Sequence, residues 1–343
     1  MTKVSVIIPI YKVEKFIEKC AISLMEQTLE DIEYIFVDDC TPDKSMVVLK
    51  SVLDKYPCRD VKILRHEFNK GLAAARKTGL EVAQGKYIAH CDSDDWVEAD
   101  MYASMFDIAE LNSADIVACG FKLEDTECTK DIYYPYGEED FEDIFNPQMF
   151  GWIYGAVWNK LIRRDLYLRY KIMPIEGINM WEDSVLTMRL RLCSNKTIII
   201  SDTYYHYWVG KRESSFFSRN DSNQVNEMEK AVIYLESYFK ECRLDKIAEQ
   251  LIIKLKILSK ERLMSLPNRE GFRRWKQIFP ENDLRIWNLR DYSLVTKIKV
   301  TLVHFLPCSL AYLVFCLRKQ HNGKKISNQS IRKTFLHKGD GDH

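Results

Sequence analysis

The chain is 343 residues long, and its 50 Lys+Arg cancel its 50 Asp+Glu to a formal net charge of zero. With 46% hydrophobic and 29% charged residues it can bury a sizeable core, which excludes a disordered chain and a uniformly basic nucleic-acid binder. The cancellation is not local, because nine Lys/Arg face only two Asp from Thr296 onward and the preceding body is correspondingly acidic.

Val4–Ile10 reads VSVIIPI, a short apolar run of the kind buried on both faces of a parallel sheet. Apolar spacing then predicts a helix over 14–27, a strand over 33–37, a helix over 43–56 and a strand over 61–64. Asp43 is expected to cap the second helix, and Asn69 a third that runs through 72–83 with Gly85 beyond its end. A strand over 86–91, a helix over 98–111 and a strand over 115–119 complete the alternation. That order predicts a mostly parallel sheet with helices on both faces.

Beyond Gly120 the rhythm breaks. Residues 122–143 are acidic and Tyr-rich and read as a loop or an edge hairpin; 150–170 is aromatic, 183–193 a short helix and 197–200 a strand. Residues 220–265 read as largely helical, with a soft boundary near Phe217. The ten cysteines contain no Cys-x-x-Cys pair, which argues against zinc and thioredoxin-like sites. The opening MTKVSVIIPIY lacks the zones of a secretory leader, so reduced thiols in a cytoplasmic protein are expected.

Two of the early strands end in carboxylates. The second ends YIFVDDCTPD with Asp38, Asp39 and Asp43, and the fourth ends YIAHCDSDDW with Asp92, Asp94 and Asp95. Ligands of open α/β sheets bind beyond the carboxyl ends of the strands. Three acids within four residues repel one another and call for a cation or for positive partners, and hard oxygen ligands suit Mg²⁺, Mn²⁺ or Ca²⁺. An EF-hand is excluded, since Trp96 and Val97 stand where its loop needs an oxygen ligand and a glycine. Neither G-x-G-x-x-G nor G-x-x-x-x-G-K-[ST] is present.

VSVIIPIY, IFVDDCTPD and NKGLAAARKTGLEVAQGKYIAHCDSDD, in this order and spacing, resemble a family 2 glycosyltransferase. The likeness continues more loosely through VWNKLIRRDLY and EGINMWEDSVLTMRL to about Ser218. Where the family usually has Tyr-Asn this chain has Tyr11-Lys12, where it often has Asp-Gly-Ser this chain has Cys40-Thr41, and Arg76 is followed by Lys77 rather than Asn. The resemblance implies an α/β fold of the GT-A (Rossmann-like) type with a C-terminal helical extension. It implies a glycosyltransferase domain over 1–217, divided into a nucleotide-sugar half (1–120) and an acceptor half (121–217), a helical region over 218–295 and a tail over 296–343.

The activity implied is inverting sugar transfer from a nucleoside-diphosphate sugar, UDP-sugar foremost, to a hydroxyl of a glycan or lipid-linked oligosaccharide. Asp94 and Asp95 then hold Mn²⁺ or Mg²⁺, Asp94 also contacts the donor, and Asp92 supports them. Asp39 accepts a uracil-type ring N–H, Pro9 and Tyr11 line the base pocket, and Arg76 balances phosphate or carboxylate charge or pairs with a sheet-edge Asp. Asp183 aligns with the catalytic base, Glu182 is a weaker candidate for the same role, and Lys160 faces the donor phosphates or the acceptor. Trp158 and Asn159 precede Lys160 in the same segment; Trp181 offers a sugar-stacking wall or simple core packing. His206, Arg212 and Ser214 resemble a loop that closes over the diphosphate. A non-catalytic nucleotide-sugar or glycan-binding subunit, a glycoside hydrolase and a nucleotidyltransferase are the alternatives.

The tail carries its own expectation. Residues 300–317 read VTLVHFLPCSLAYLVFCL, broken by His304 and Pro307, with Lys297 and Lys299 before and Arg318, Lys319, Lys324 and Lys325 after. Basic flanks around an interrupted apolar segment fit attachment to an anionic membrane surface, peripheral on the cytoplasmic side, better than spanning. No nucleic-acid partner is expected, because the positive charge is confined to the tail.

Overall fold

The computed structural model describes residues 1–133, 137–146, 155–210, 222–261, 263 and 269–311. Two compact units divide the chain, Met1–Ile252 and Ile253–His343.

In the first unit, β1 (Val4–Ile10) and β2 (Ile32–Asp38) are buried at all seven positions each, as continuous apolar runs in a sheet covered on both faces must be. β3 (Asp60–Arg65) pairs parallel with β2, and β4 (Tyr87–His90) parallel with β1. The helices α1 (Ile17–Met25), α2 (Ser45–Leu53) and α3 (Leu72–Val82) connect them. β5 (Trp96–Val97), α4 (Met101–Asn112) and the long β6 (Ile116–Glu124) follow. With β9 (Lys160–Arg163) and β10 (Thr197–Trp208), the strand order is β3-β2-β1-β4-β9-β6-β10-β5, β7 (Thr129–Ile132) pairing with β6 and β8 (Gly137–Glu138) with β10.

The mostly parallel sheet is as the sequence predicts, with one insertion that it does not show. β9 (Lys160–Arg163) runs antiparallel between β4 and β6 and separates two strands that are neighbours in the simple alternation. The hairpin expected over 122–143 exists in part, since β7 folds back antiparallel on the end of β6. α5 (Arg164–Arg169) and α6 (Glu182–Cys193) pack on the same face as α3, around Ile7, Ile88, Ile162, Leu166, Leu186 and Leu190. Each such fully buried side chain contributes about 1.5–3 kcal/mol of transfer free energy. Every cysteine of the described residues is free.

Two capping expectations sort differently. Asp43 Oδ1 accepts from Ser45 N at 3.1 Å and from Ser45 Oγ at 2.6 Å, so it serves the start of α2 as expected. Asn69 does not cap α3: Gly71 stands at that position with φ +92°, and Asn69 Nδ2 donates to the Asp39 carbonyl instead. A Cβ on Gly71 would meet Asn179 Nδ2 at 2.8 Å, so glycine answers both the dihedral and the close approach.

α7 (Ser222–Glu241) belongs to the first unit, and the division falls inside α8 (Glu249–Glu261), beyond the soft boundary near Phe217. In the second unit α9 (Arg269–Gln277), a 3-10 helix (Pro280–Asn288) and α10 (Leu294–Phe305) follow. Lys260 is fully buried there, paired with Asp283 and donating to the Ile278 carbonyl at 2.6 Å. His304 Nδ1 lies 3.0 Å from the other Asp283 oxygen.

Candidate active site

The parallel strands β1 to β4 point their carboxyl ends to one side of the sheet, and the acids gather there. Asp92 follows β4, and its Oδ1 accepts from Arg76 Nη2 at 2.7 Å. Asp95, 1% exposed, is framed by β10: Tyr205 OH donates to Oδ2 at 2.9 Å and Trp208 N to Oδ1 at 2.9 Å. Tyr205 OH in turn accepts from Asp92 N at 3.1 Å, while Asp94 is half-buried between the two. The protein supplies donors to the cluster, a positive one from Arg76 to Asp92 and neutral ones from Tyr205 and Trp208 to Asp95. Among the described residues no group of three or more His, Cys, Asp or Glu is arranged to hold a metal ion. The acids thus do not form a ready-made cation cage, and Asp95 faces protein donors.

Arg76, on α3, is 1% exposed and bridges two distant acids. Nη2 reaches Asp92, and Nη1 donates to Glu182 Oε1 at 2.9 Å. The alternative of an internal ion pair is therefore the one observed, with both fork arms engaged. A planar guanidinium suits two carboxylates at once, which a lysine ammonium does not match.

Glu182 and Asp183 open α6, directly after Trp181, which takes the left-handed φ of 63°. A helix start favours negative charge. Burial nevertheless pushes Glu182 up to about 8, with repulsion from Asp183 adding to it and Arg76 opposing. Burial also raises Asp183, against the pull of Arg76 and the Ser184 N–H that donates to its Oδ1 at 2.7 Å. A carboxyl raised toward neutrality and partly open to solvent is suited to accept a proton.

The other sequence candidates lie as follows. Pro9 is buried within β1 opposite Val37, and Tyr11 is exposed just beyond that strand. Asp39 turns inward: Oδ1 takes His66 Nδ1 at 2.7 Å and Lys70 N at 2.8 Å, and Oδ2 takes Gly71 N at 2.8 Å. The carboxylate assigned to a base N–H thus primarily holds the 66–71 loop, with acceptor capacity left on Oδ2. Lys160 corrects its expectation most clearly. It is 2% exposed, and Nζ donates to the Ala156 carbonyl at 2.5 Å and to Asn159 Oδ1 at 3.0 Å. Burial, with Arg191 nearby, lowers its pKa to about 7, so it is an interior group and does not present a charge to phosphates.

Trp158 is core, stacked between Tyr205 and Tyr207 with centroids 4.4 and 5.4 Å away. Arg212 and Ser214 lie outside the described residues. Sequence reasoning missed Tyr205, Trp208, His66 and Asn179. The aromatic run TYYHYWVG was the one visible signal, and nothing in it shows which ring meets an aspartate.

Known proteins share this architecture. The family model "Glycosyl transferase family 2" matches residues 5–169. The cholesterol galactosyltransferase of Borreliella burgdorferi is 30% identical over 257 residues, 70% of each chain. The chain belongs to glycosyl transferase family 2. The uncharacterized glycosyltransferase EpsJ of Bacillus subtilis is 36% identical over 213 residues, and the match spans 60% of each chain. A crystal structure of S. aureus TarS 1-349 in complex with UDP shares the fold, with a TM-score of 0.68 at 19% identity over 95% of both chains. The mostly parallel sheet flanked by helices is the GT-A architecture.

Proposed function

We propose that this chain is an inverting glycosyltransferase that moves a sugar from a UDP-sugar to a hydroxyl of a glycan or lipid-linked oligosaccharide. The Asp92–Arg76–Glu182 bridge carries the reading, because it ties the strand-end acids to the helix start that bears Asp183. The acceptor oxygen bonds the anomeric carbon as the bond from that carbon to the diphosphate oxygen breaks. Asp183 takes the hydroxyl proton, and the nucleoside diphosphate leaves with the electron pair. The raised Asp183 supports that role. The TarS complex with UDP supports a uracil base, for which Tyr11 and the remaining acceptor capacity of Asp39 are the candidate contacts.

Mn²⁺ or Mg²⁺, when bound, neutralises charge on the leaving diphosphate. Asp94 and Asp95 are the carboxylates that would hold it, each Asp95 oxygen keeping lone-pair capacity beside the protein donor that it accepts. The test is scanning fluorimetry with UDP, GDP and TDP in the presence of Mn²⁺. A UDP-selective rise in melting temperature is expected; a GDP-selective rise overturns the base assignment.

The same protein is proposed to sit on the cytoplasmic face of a membrane through its C-terminal part. Leu294, Val295, Ile298, Leu302 and Phe305 are exposed on α10, whose other side buries Val300 and Val303, and Lys297 and Lys299 stand beside them. An apolar stripe next to basic residues favours an anionic interface. Among the described residues no helix is long and apolar enough to cross a membrane. The rest of the 300–317 segment and its basic flank lie outside those residues. Flotation with anionic vesicles, abolished by Leu302→Glu with Phe305→Glu, is the expected result. Equal binding to neutral vesicles, or a dimer that the double variant dissociates, overturns it.

A further inference from the structure

His206 lies on β10 between the two residues that hold Asp95, yet its own ring serves a different cluster. Nδ1 lies 2.7 Å from Glu124 Oε1 on β6, and Nε2 3.0 Å from Glu98 Oε1 just beyond β5. The Trp96 ring of β5 stacks on the imidazole, centroids 5.1 Å apart and planes 20° from parallel. Lys122 of β6 donates to the same Glu98 oxygen at 2.5 Å, Thr129 Oγ1 donates to Glu124 Oε2 at 2.7 Å, and Lys19 of α1 lies over the Trp96 ring.

Two ionised carboxylates accept hydrogen bonds and donate none. Hydrogen bonding from Lys122 holds Glu98 below the usual carboxylate range, and burial fails to lift Glu124 against donation from Thr129 and His206. Each ring nitrogen of His206 thus meets a carboxylate from a different part of the sheet. Glu124 meets the His206 ring at 2.7 Å, and Lys19 adds a weaker attraction to the same carboxylate.

We propose that His206 is a positioning residue whose ring, hydrogen-bonded to Glu124 and Glu98, staples the ends of β5, β6 and β10 together and so keeps Tyr205 and Trp208 in place against Asp95. The proposal rests on the reading of Asp95 as part of the donor site. Tyr205 OH and Trp208 N each reach Asp95 at 2.9 Å, so a shift of this strand end by about one ångström would break both bonds. Without the ring, Glu98 and Glu124 lose their shared partner between these strand ends.

His206→Gln, which supplies one donor and no charge, is expected to weaken UDP binding about tenfold with a smaller change in kcat. His206→Arg, whose guanidinium can donate to both carboxylates, is expected to restore most of that loss. UDP affinity unchanged in a folded His206→Gln variant sinks the idea. The two layers separate cleanly: if Asp95→Asn leaves UDP affinity intact, the donor-site reading fails, whereas affinity lost in Asp95→Asn but kept in His206→Gln removes the staple alone.

Discussion

Arg76 and Glu182 are 106 positions apart in the chain, yet Nη1 of one donates to Oε1 of the other at 2.9 Å. Both are buried, and the second arm of the guanidinium holds Asp92 at 2.7 Å. One side chain on α3 therefore sets the spacing between the strand-end acids and the acids of α6.

Arg76→Lys keeps the charge and loses the fork. Removing one partner of a buried pair typically costs about 3–5 kcal/mol, and the retained ammonium should hold the loss to roughly 2–3 kcal/mol. Urea denaturation measures it, and kcat/KM for sugar transfer should fall by at least about tenfold. An unchanged midpoint would show that the bridge is dispensable.

Asp183→Asn removes the proton acceptor with little change of shape. General-base catalysis is worth about 10²–10⁴ in rate, so kcat should drop by that factor while UDP affinity stays within about twofold. Full turnover in this variant would assign the base elsewhere, with Glu182 the next residue to replace.

Stability should fall with rising pH because of Glu182. Its carboxyl is raised from 4.5 to about 8 in the folded chain, so between those values the native state holds a proton that the unfolded chain releases. The contribution is complete below the lower value and is lost as pH climbs through the upper one. Glu182→Gln should flatten that slope in urea titrations at successive pH values; an equal slope in both proteins would contradict the assignment.

Gly71→Ala combines a left-handed φ with a collision against Asn179, whose Oδ1 accepts from Ala73 N at 3.3 Å. A loss of about 1–3 kcal/mol is expected. Gly177 has φ +81° with no atom within 4 Å of the place a methyl would take, so Gly177→Ala isolates the dihedral cost and should lose less. Equal losses would mean that the Asn179 contact yields freely.

Lys12 and Cys40 hold φ of 57° and 54°, at positions where the family usually has Asn and often has Gly. A left-handed conformation costs an ordinary residue roughly 1–2 kcal/mol. Lys12→Asn should stabilise the protein by about 0.5–1 kcal/mol in thermal unfolding, since asparagine tolerates this region and the Lys12 side chain is exposed. A lowered melting temperature would show that the Lys12 ammonium, 5.2 Å from the Tyr11 ring centroid, outweighs the dihedral relief.

Much of the fold is legible in the order of residues. Strands β1 to β4, helices α1 to α4 and the start of α6 follow from runs and spacings of apolar residues, and the acids at the strand ends from their place after those runs. These are local signals, because burial of a two-sided strand or a helix stripe is written in consecutive residues. Less visible is β9, four residues that enter the sheet antiparallel between β4 and β6. Its pairing with β4 joins segments far apart in the chain, and no short window carries it.

The candidate site divides along the same line. Residue order alone places Asp92, Asp94, Asp95, Glu182 and Asp183 at element ends, where backbone geometry exposes side chains to a ligand. Which of them stays open is a matter of partners. Arg76 takes Asp92 and Glu182, Tyr205 and Trp208 take Asp95, the 66–71 loop takes Asp39, and Lys160 sinks into the interior. A carboxylate or an ammonium has the same formula exposed or buried, and its desolvation and its hydrogen-bond donors arrive from remote parts of the chain. Composition and periodicity therefore establish the architecture and the chemical inventory, while long-range packing assigns each charged group its partner, its protonation and its task.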